Sequence, residues 1–198
     1  MYIKIINEDA INCNEQADLI FADPPYEMDG KHLSRIIDNI KSNHLILLTT
    51  FKQALEFNIN SEFKLNFDFV INSVIPKKTT SIRQPNYTHI TCLYMTRGQT
   101  KSIFNRKLKQ RSDGAHAVGY WSTIIRGARD LKNQYGKNEQ TITDIVGSFE
   151  DVNTIIDPFA GSGVVGNVGI ELGINVILIE INSEKSQTLK EKYKRYIM

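Results

Sequence analysis

The sequence predicts an α/β fold: a mostly parallel sheet with helices on both faces. Two observations carry this expectation. Short, almost wholly apolar runs recur along the chain, as strands buried on both faces require. Between them lie segments whose apolar residues return every three or four positions, as in helices packed by one side. A chain of 198 residues, 41% apolar and 23% charged, can bury one core, so a single domain over 1–198 is expected.

The elements follow in order. YIKIIN (2–7), DLIFA (18–22) and HLILLT (44–49) read as strands. Leu33, Ile36, Ile37 and Ile40 have the spacing of a helix over about 31–41. Two longer strand-like runs, at 67–76 and 87–96, are joined by the polar KKTTSIRQPN. They predict an antiparallel hairpin with a long tip at one end of the sheet. A basic window, 97–137, comes next. A helix over about 139–149 then leads into the strand TIIDPF (154–159). A glycine loop opens a helix to about Glu171. The strand NVILIEI (175–181) and an amphipathic helix from Ser183 to Met198 complete the order.

No apolar run has the length of a membrane span, and the first residues lack the shape of a secretory signal, so a cytoplasmic protein is expected. Cys13 and Cys92 stand far apart, which suits reduced, packed thiols. His32, His44, His89 and His116 have no metal-ligand spacing, and no metal is expected. His89 is expected near the functional edge of the hairpin.

Two segments carry chemistry. In the first, a strand ends in Asp157 and is followed by Pro158-Phe159-Ala160-Gly161-Ser162-Gly163 and a helix, which is a nucleotide-binding turn. Further on, the next strand reaches Glu180, whose carboxylate can accept hydrogen bonds from both hydroxyls of a ribose. Gly161, Gly163 and Gly166 also satisfy the dinucleotide fingerprint. Against that reading, Asp157 would set a negative charge beside a diphosphate, whereas a positively charged methionine moiety would be favoured there. The short stretch after the loop is also small for the remainder of a dinucleotide fold.

In the second segment, the strand Leu19-Ile20-Phe21-Ala22 runs into Asp23-Pro24-Pro25-Tyr26. Consecutive prolines stiffen the turn and remove two backbone donors, leaving a cluster of acceptors in the Asp23 carboxylate and the Pro24 carbonyl. An exocyclic amino group, with two hydrogens to donate, matches that cluster. Tyr26 offers a flat face for an extruded base.

Together these segments resemble the amino-methylating DNA methyltransferases, whose signatures are a [DNS]-P-P-[YFW] tetrapeptide and an F-x-G-x-G loop. Here they stand as Asp23-Pro24-Pro25-Tyr26 and Phe159-Ala160-Gly161-Ser162-Gly163. The tetrapeptide precedes the loop, as in the permuted beta group. The resemblance implies a Rossmann-like class I methyltransferase sheet, circularly permuted, with S-adenosyl-L-methionine as cofactor. It implies Asp23, Pro24, Pro25 and Tyr26 at the reaction. Asp9, Ala22, Asp157, Pro158, Phe159, Ala160, Gly161, Ser162, Gly163, Glu180 and Ile181 would lie at the cofactor. Asp9 enters through Asn7-Glu8-Asp9-Ala10, which resembles the family's Gly-Asp-Ala segment without its glycine. The stretch 135–141 falls where the family has a pre-loop cofactor segment and matches it poorly.

The expected reaction is methyl transfer to the amino nitrogen of a base in DNA, adenine N6 first. Cytosine N4 is the alternative, since that group's tetrapeptide more often begins with serine. An RNA substrate or a non-catalytic nucleic-acid-binding subunit are further alternatives. Neither cysteine is placed to attack a base carbon.

The basic window holds ten Lys and Arg against two Asp, in a chain of net charge only +2. Arg106, Lys107, Lys109, Arg111, Arg126 and Arg129 are its candidate DNA contacts; a solvated charged surface is the other reading. The window is short for target recognition, so a short site, a homodimer or a partner subunit is expected. Restriction–modification, phage defence and regulation are the alternative settings.

Overall fold

The computed structural model describes residues 1–77, 87–105, 124–126 and 139–197. Among these residues, eight strands form one sheet in the order β1-β8-β7-β2-β3-β5-β4-β6. They are β1 (Ile3–Ile6), β2 (Leu19–Ala22), β3 (His44–Thr49), β4 (Phe63–Lys77), β5 (Tyr87–Arg97), β6 (Ile124–Arg126), β7 (Thr154–Asp157) and β8 (Asn175–Ile179). The first five positions pair in parallel, β5 is antiparallel to both neighbours, and β6 is parallel to β4. The expected α/β class and the antiparallel β4–β5 pair are therefore present. The pair is not the sheet's edge, however, because the three-residue β6 lies outside it.

The described helices are α1 (Gly30–Asn39), α2 (Phe51–Asn60), α3 (Glu139–Val146), α4 (Val164–Leu172) and α5 (Ser183–Lys192). Side chains alternate across each strand, and this splits the core in two. Leu19, Phe21, Ile46 and Leu48 face one cluster with Ile142, Val165, Val168, Leu189 and Tyr193, from the α3, α4 and α5 side. Ile20, Ala22, Leu45 and Leu47 face the other, with Leu33, Ile36, Ile37, Ala54 and Phe57 from α1 and α2. Helices thus cover both faces, and none in the described residues is long and apolar enough to cross a membrane. Cys13 and Cys92 are buried free thiols.

Several elements differ from expectation, among them β4, which begins at Phe63 rather than 67, and α3, which ends at Val146 rather than 149. Helix α2 was not expected. Its buried face is Gln53, Ala54 and Phe57, while Phe51, Leu55 and Ile59, spaced by four, are exposed. Helix α5 ends at Lys192 rather than running on to Met198. Beyond it a turn over 193–196 brings the chain back to β1, where the Ile3 amide donates to the Tyr196 carbonyl at 2.8 Å and Ile197 bridges to Ile3. Strands β7 and β8 stop two residues early, leaving Pro158–Phe159 and Glu180–Ile181 in the loops.

The two faces of α2 give a paired test. Truncating the fully buried Phe57 to Ala should lower unfolding free energy by about 3–5 kcal/mol. Ile59→Ala, on the exposed face, should stay within about 0.5 kcal/mol of wild type. Urea denaturation of both variants distinguishes this packing from one in which the exposed stripe is the buried one.

Candidate active site

Both chemistry-bearing segments leave the same edge of the sheet, the carboxyl ends of β2 and β7. These strands are neighbours, with Leu19 and Ile20 paired to Ile155 and Ile156. From β7 the chain passes through α4 to β8 on one side; from β2 it passes through α1 to β3 on the other. Connections leaving adjacent parallel strands in opposite directions open a crevice there, the usual place for a ligand in such a sheet.

On the β7 side, Asp157 is buried and its Oδ1 accepts the Phe159 amide at 2.9 Å. Burial pushes its carboxyl up to about 8, against a lowering by that amide, and the neighbouring carboxylates of Asp23 and Glu180 push the same way. The acids at the ends of β2, β7 and β8 therefore share one electrostatic environment. Pro158 and Ala160 are buried, Phe159 and Gly161 half-buried and Ser162 exposed. Gly161 and Gly163 have φ of 51° and 80°, in the left-handed region where a side chain would be strained. Gly163 is the N-cap of α4 and brings no side-chain cap, so the first amides of the helix are left for other acceptors.

Glu180 follows the last residue of β8 and is buried. Its Oε2 accepts the Gly161 amide and its Oε1 the Asn182 amide, each at 2.9 Å. Ile181 beside it is exposed. Asn7, after β1, donates from Nδ2 to the Glu180 carbonyl at 2.8 Å. Asp9 caps the short turn Ala10–Asn12, its Oδ1 accepting the Ile11 amide at 3.1 Å. Ala10, Ile11 and Phe159 all pack into the apolar cluster on the α1–α2 face, and the Asn7–Glu180 and Gly161–Glu180 bonds link the end of β1 to the glycine loop.

On the β2 side, Ala22 and Pro24 are buried, Asp23 and Tyr26 half-buried and Pro25 exposed. The Met28 amide donates to the Pro25 carbonyl at 3.0 Å, closing a four-residue turn with Tyr26 in its second position.

Sequence reasoning missed the residues that clamp the glycine loop from α5. Lys192 Nζ donates to the Ser162 carbonyl at 3.0 Å. The Tyr193 hydroxyl reaches the Gly163 carbonyl and lies 2.8 Å from Asn167 Oδ1. Asn167 Nδ2 donates in turn to Glu139 at 2.6 Å. A Cβ on Gly166 would lie 2.6 Å from the Tyr193 ring. The third glycine of the fingerprint therefore admits a tyrosine, a role that spacing alone does not reveal.

Of the basic candidates, Arg126 lies on β6, paired with Asn72. That position is past the end of β3, whose Thr49 pairs with Thr91, and so on the crevice side of the sheet. His89 pairs with Asn72 on the same extension and is exposed. Arg106, Lys107, Lys109, Arg111 and Arg129, with most of the window, lie outside the described residues, as does 135–138 of the poorly matching segment.

Comparison with known proteins agrees with this fold. A Type II methyltransferase, M.HinfI of Haemophilus influenzae, is 27% identical over 234 residues. The alignment covers 93% of this chain, which spans 64% of that protein's length. The M1.HpyAVI–SAM complex superimposes with a TM-score of 0.70 at 21% identity, over 96% of this chain and 99% of its own. PvuII DNA methyltransferase, described as cytosine-N4-specific, gives 0.73 at 10% identity, over 99% and 93%. The family model for N6/N4 DNA methylases matches residues 32–191, a span that includes the glycine loop and Glu180 and begins just after Asp23–Tyr26. With most of its length inside that match, the chain belongs to the N6/N4 DNA methylase family.

Proposed function

We propose that this protein transfers a methyl group from S-adenosyl-L-methionine to the exocyclic amino nitrogen of a DNA base, adenine N6. The observation that carries the reading is the convergence of Asp157, Asp23 and Glu180 on one crevice, with Asp157 held up to about 8 by burial first and by the other two carboxylates. A cluster of acids suits a ligand bearing a sulfonium and an ammonium charge. The donor set fits the remainder as well: Glu180 for ribose hydroxyls, the Asp9 turn for the adenine end, and the Gly161–Gly163 backbone for close approach. The cofactor, when bound, supplies an electrophilic methyl group.

The chain's own residues then have defined work. Asp23 and the Pro24 carbonyl accept hydrogen bonds from the two amino hydrogens, which draws the nitrogen lone pair out of conjugation and aims it across the crevice; as the nitrogen gains the methyl group it gives up one of these protons, by way of Asp23, to solvent. Tyr26 stacks on the extruded base. Positioning and the relief of positive charge supply the rate, and no covalent intermediate with the enzyme is needed. Adenine is favoured over cytosine because the tetrapeptide begins with Asp23, where cytosine-N4 enzymes more often have serine. The chain order, tetrapeptide before loop, supports a permuted, beta-group arrangement. DNA would meet the basic window, of which Arg126 is carried to the crevice side by β6. A second subunit would extend that short surface.

The deciding measurement is digestion and nucleoside analysis of mixed-sequence DNA after incubation with labelled cofactor. N6-methyladenine should form, and Asp23→Ala should reduce its rate by about a hundred- to thousandfold. N4-methylcytosine would move the assignment to the other base; unlabelled DNA with intact cofactor binding would redirect it to RNA or to a complex.

Cofactor binding should also depend on pH, with a predictable sign. Near pH 7 the carboxyl of Asp157, raised from 3.8 to about 8 by burial, is largely protonated, and a cationic ligand favours its ionised form. Binding should therefore release protons, and affinity should rise between about pH 5.5 and 6.7, a unit below the value at which an α-amino group itself titrates. Calorimetry in buffers of different ionisation enthalpy should record the release in wild type and its loss in Asp157→Asn.

A further inference from the structure

Gln53 is a polar side chain, 3% exposed, on the buried face of α2. Its amide joins three pieces of chain. Oε1 accepts the Thr49 hydroxyl at the end of β3, 2.8 Å away. Nε2 donates to the Pro25 carbonyl at 3.2 Å and to the Met28 carbonyl at 2.8 Å. Carbonyls only accept, so the orientation of the amide is determined. The flipped form would set Oε1 against two carbonyl oxygens and leave both without this donor.

Those two carbonyls belong to the turn that carries Tyr26, already closed by the Met28 amide on the Pro25 carbonyl. One helical turn further along α2, Glu56 Oε2 accepts the Gly30 amide at 3.0 Å. Helix α2 therefore holds the tetrapeptide's last residues and the start of α1 at once. The glycine loop is held separately, through Lys192 and Tyr193.

We propose that Gln53 is a positioning residue for the target base: by pinning the Pro25–Met28 turn to the end of β3, it fixes the Tyr26 ring and the tetrapeptide on which the base is held. This inference rests on the methyltransferase reading above. It predicts a separation of effects, since Gln53 touches the base-side loop and not the glycine loop.

The test compares Gln53→Met, which keeps the length but not the donors, with Gln53→Glu in the full chain. Melting temperature, S-adenosyl-L-methionine affinity, and kcat and KM on mixed-sequence DNA are measured for both. Gln53→Met should bind the cofactor within about twofold of wild type and lose about tenfold or more in kcat, the scale on which a misplaced reacting group acts. In Gln53→Glu, a carboxylate would face two carbonyls, whereas the protonated acid can donate to one of them. Its kcat relative to wild type should therefore rise as pH falls from 8 to 6.

Wild-type kcat in Gln53→Met, with Asp23→Ala inactive, would overturn the positioning role and leave the methyltransferase reading standing. Equal losses in cofactor affinity and kcat would overturn it too, by showing a general structural role. If Gln53→Met does not fold, the pH profile of Gln53→Glu decides, and a profile parallel to wild type overturns the proposal. Absence of methylation by wild type, or full activity in Asp23→Ala, would instead sink the reading on which this inference stands.

Discussion

The pairing of β2 with β7 is the constraint on which the site depends. Ile20 and Ile156 lie side by side in parallel register, so two loops more than a hundred residues apart in sequence emerge from one edge. Parallel pairing sends both carboxyl ends the same way, and the opposite courses of α1 and α4 keep the space between them open. A slip of one residue in either strand would move its whole apolar set to the other face. It would also turn Asp23 or Asp157 away from the crevice. Leu19 and Phe21 on one face, Ile20 and Ala22 on the other, are buried in different clusters, which makes such a slip expensive.

Given that register, each loop is braced by a helix from elsewhere in the chain. Helix α5 secures the glycine loop by Lys192 and Tyr193, and α2 secures the turn after Asp23 by Gln53 and Glu56. The two braces share no residue and lie on opposite faces of the sheet. Loops at a sheet edge are intrinsically the less stable part of such a fold, and a site assembled from two of them requires each to be fixed independently. A disturbance in one half then need not displace the other.

The legible part of the fold was the part in which apolar runs end in chemistry. TIIDPF and DLIFADPPY each read as a buried strand followed by residues that stiffen or bend the chain, and both strands form, the first giving way to its loop two residues early. Helix α2 was hidden because its exposed Phe51, Leu55 and Ile59 form an apolar stripe while its buried face includes Gln53. Periodicity reports a face but not which face is covered. Strand β6 is only three residues long, too short for any pattern. The closing helix was read too long because Tyr193, Tyr196 and Ile197 continue an apolar theme, although Tyr193 turns into the core and the other two return to β1. The bracing residues were illegible for a related reason: their partners are carbonyls, which every residue has, and only the tertiary fold chooses which ones.

The acidic crevice bears on how stability is distributed. Bringing Asp157 out of water beside Asp23 and Glu180 opposes folding at neutral pH, because the folded state must either hold a buried charge or take up a proton. The raised value means that this opposition is absent in acid, grows as pH rises from the ordinary carboxylate range, and is complete above about 8. Glu180 is compensated locally by two backbone amides, whereas Asp157 receives one, from Phe159. Of these two carboxyls the less compensated is thus the one at the end of β7, beside the glycine loop. Under the methyltransferase reading, a cationic ligand completes that environment, so that ligand binding relieves the acid cluster that folding creates.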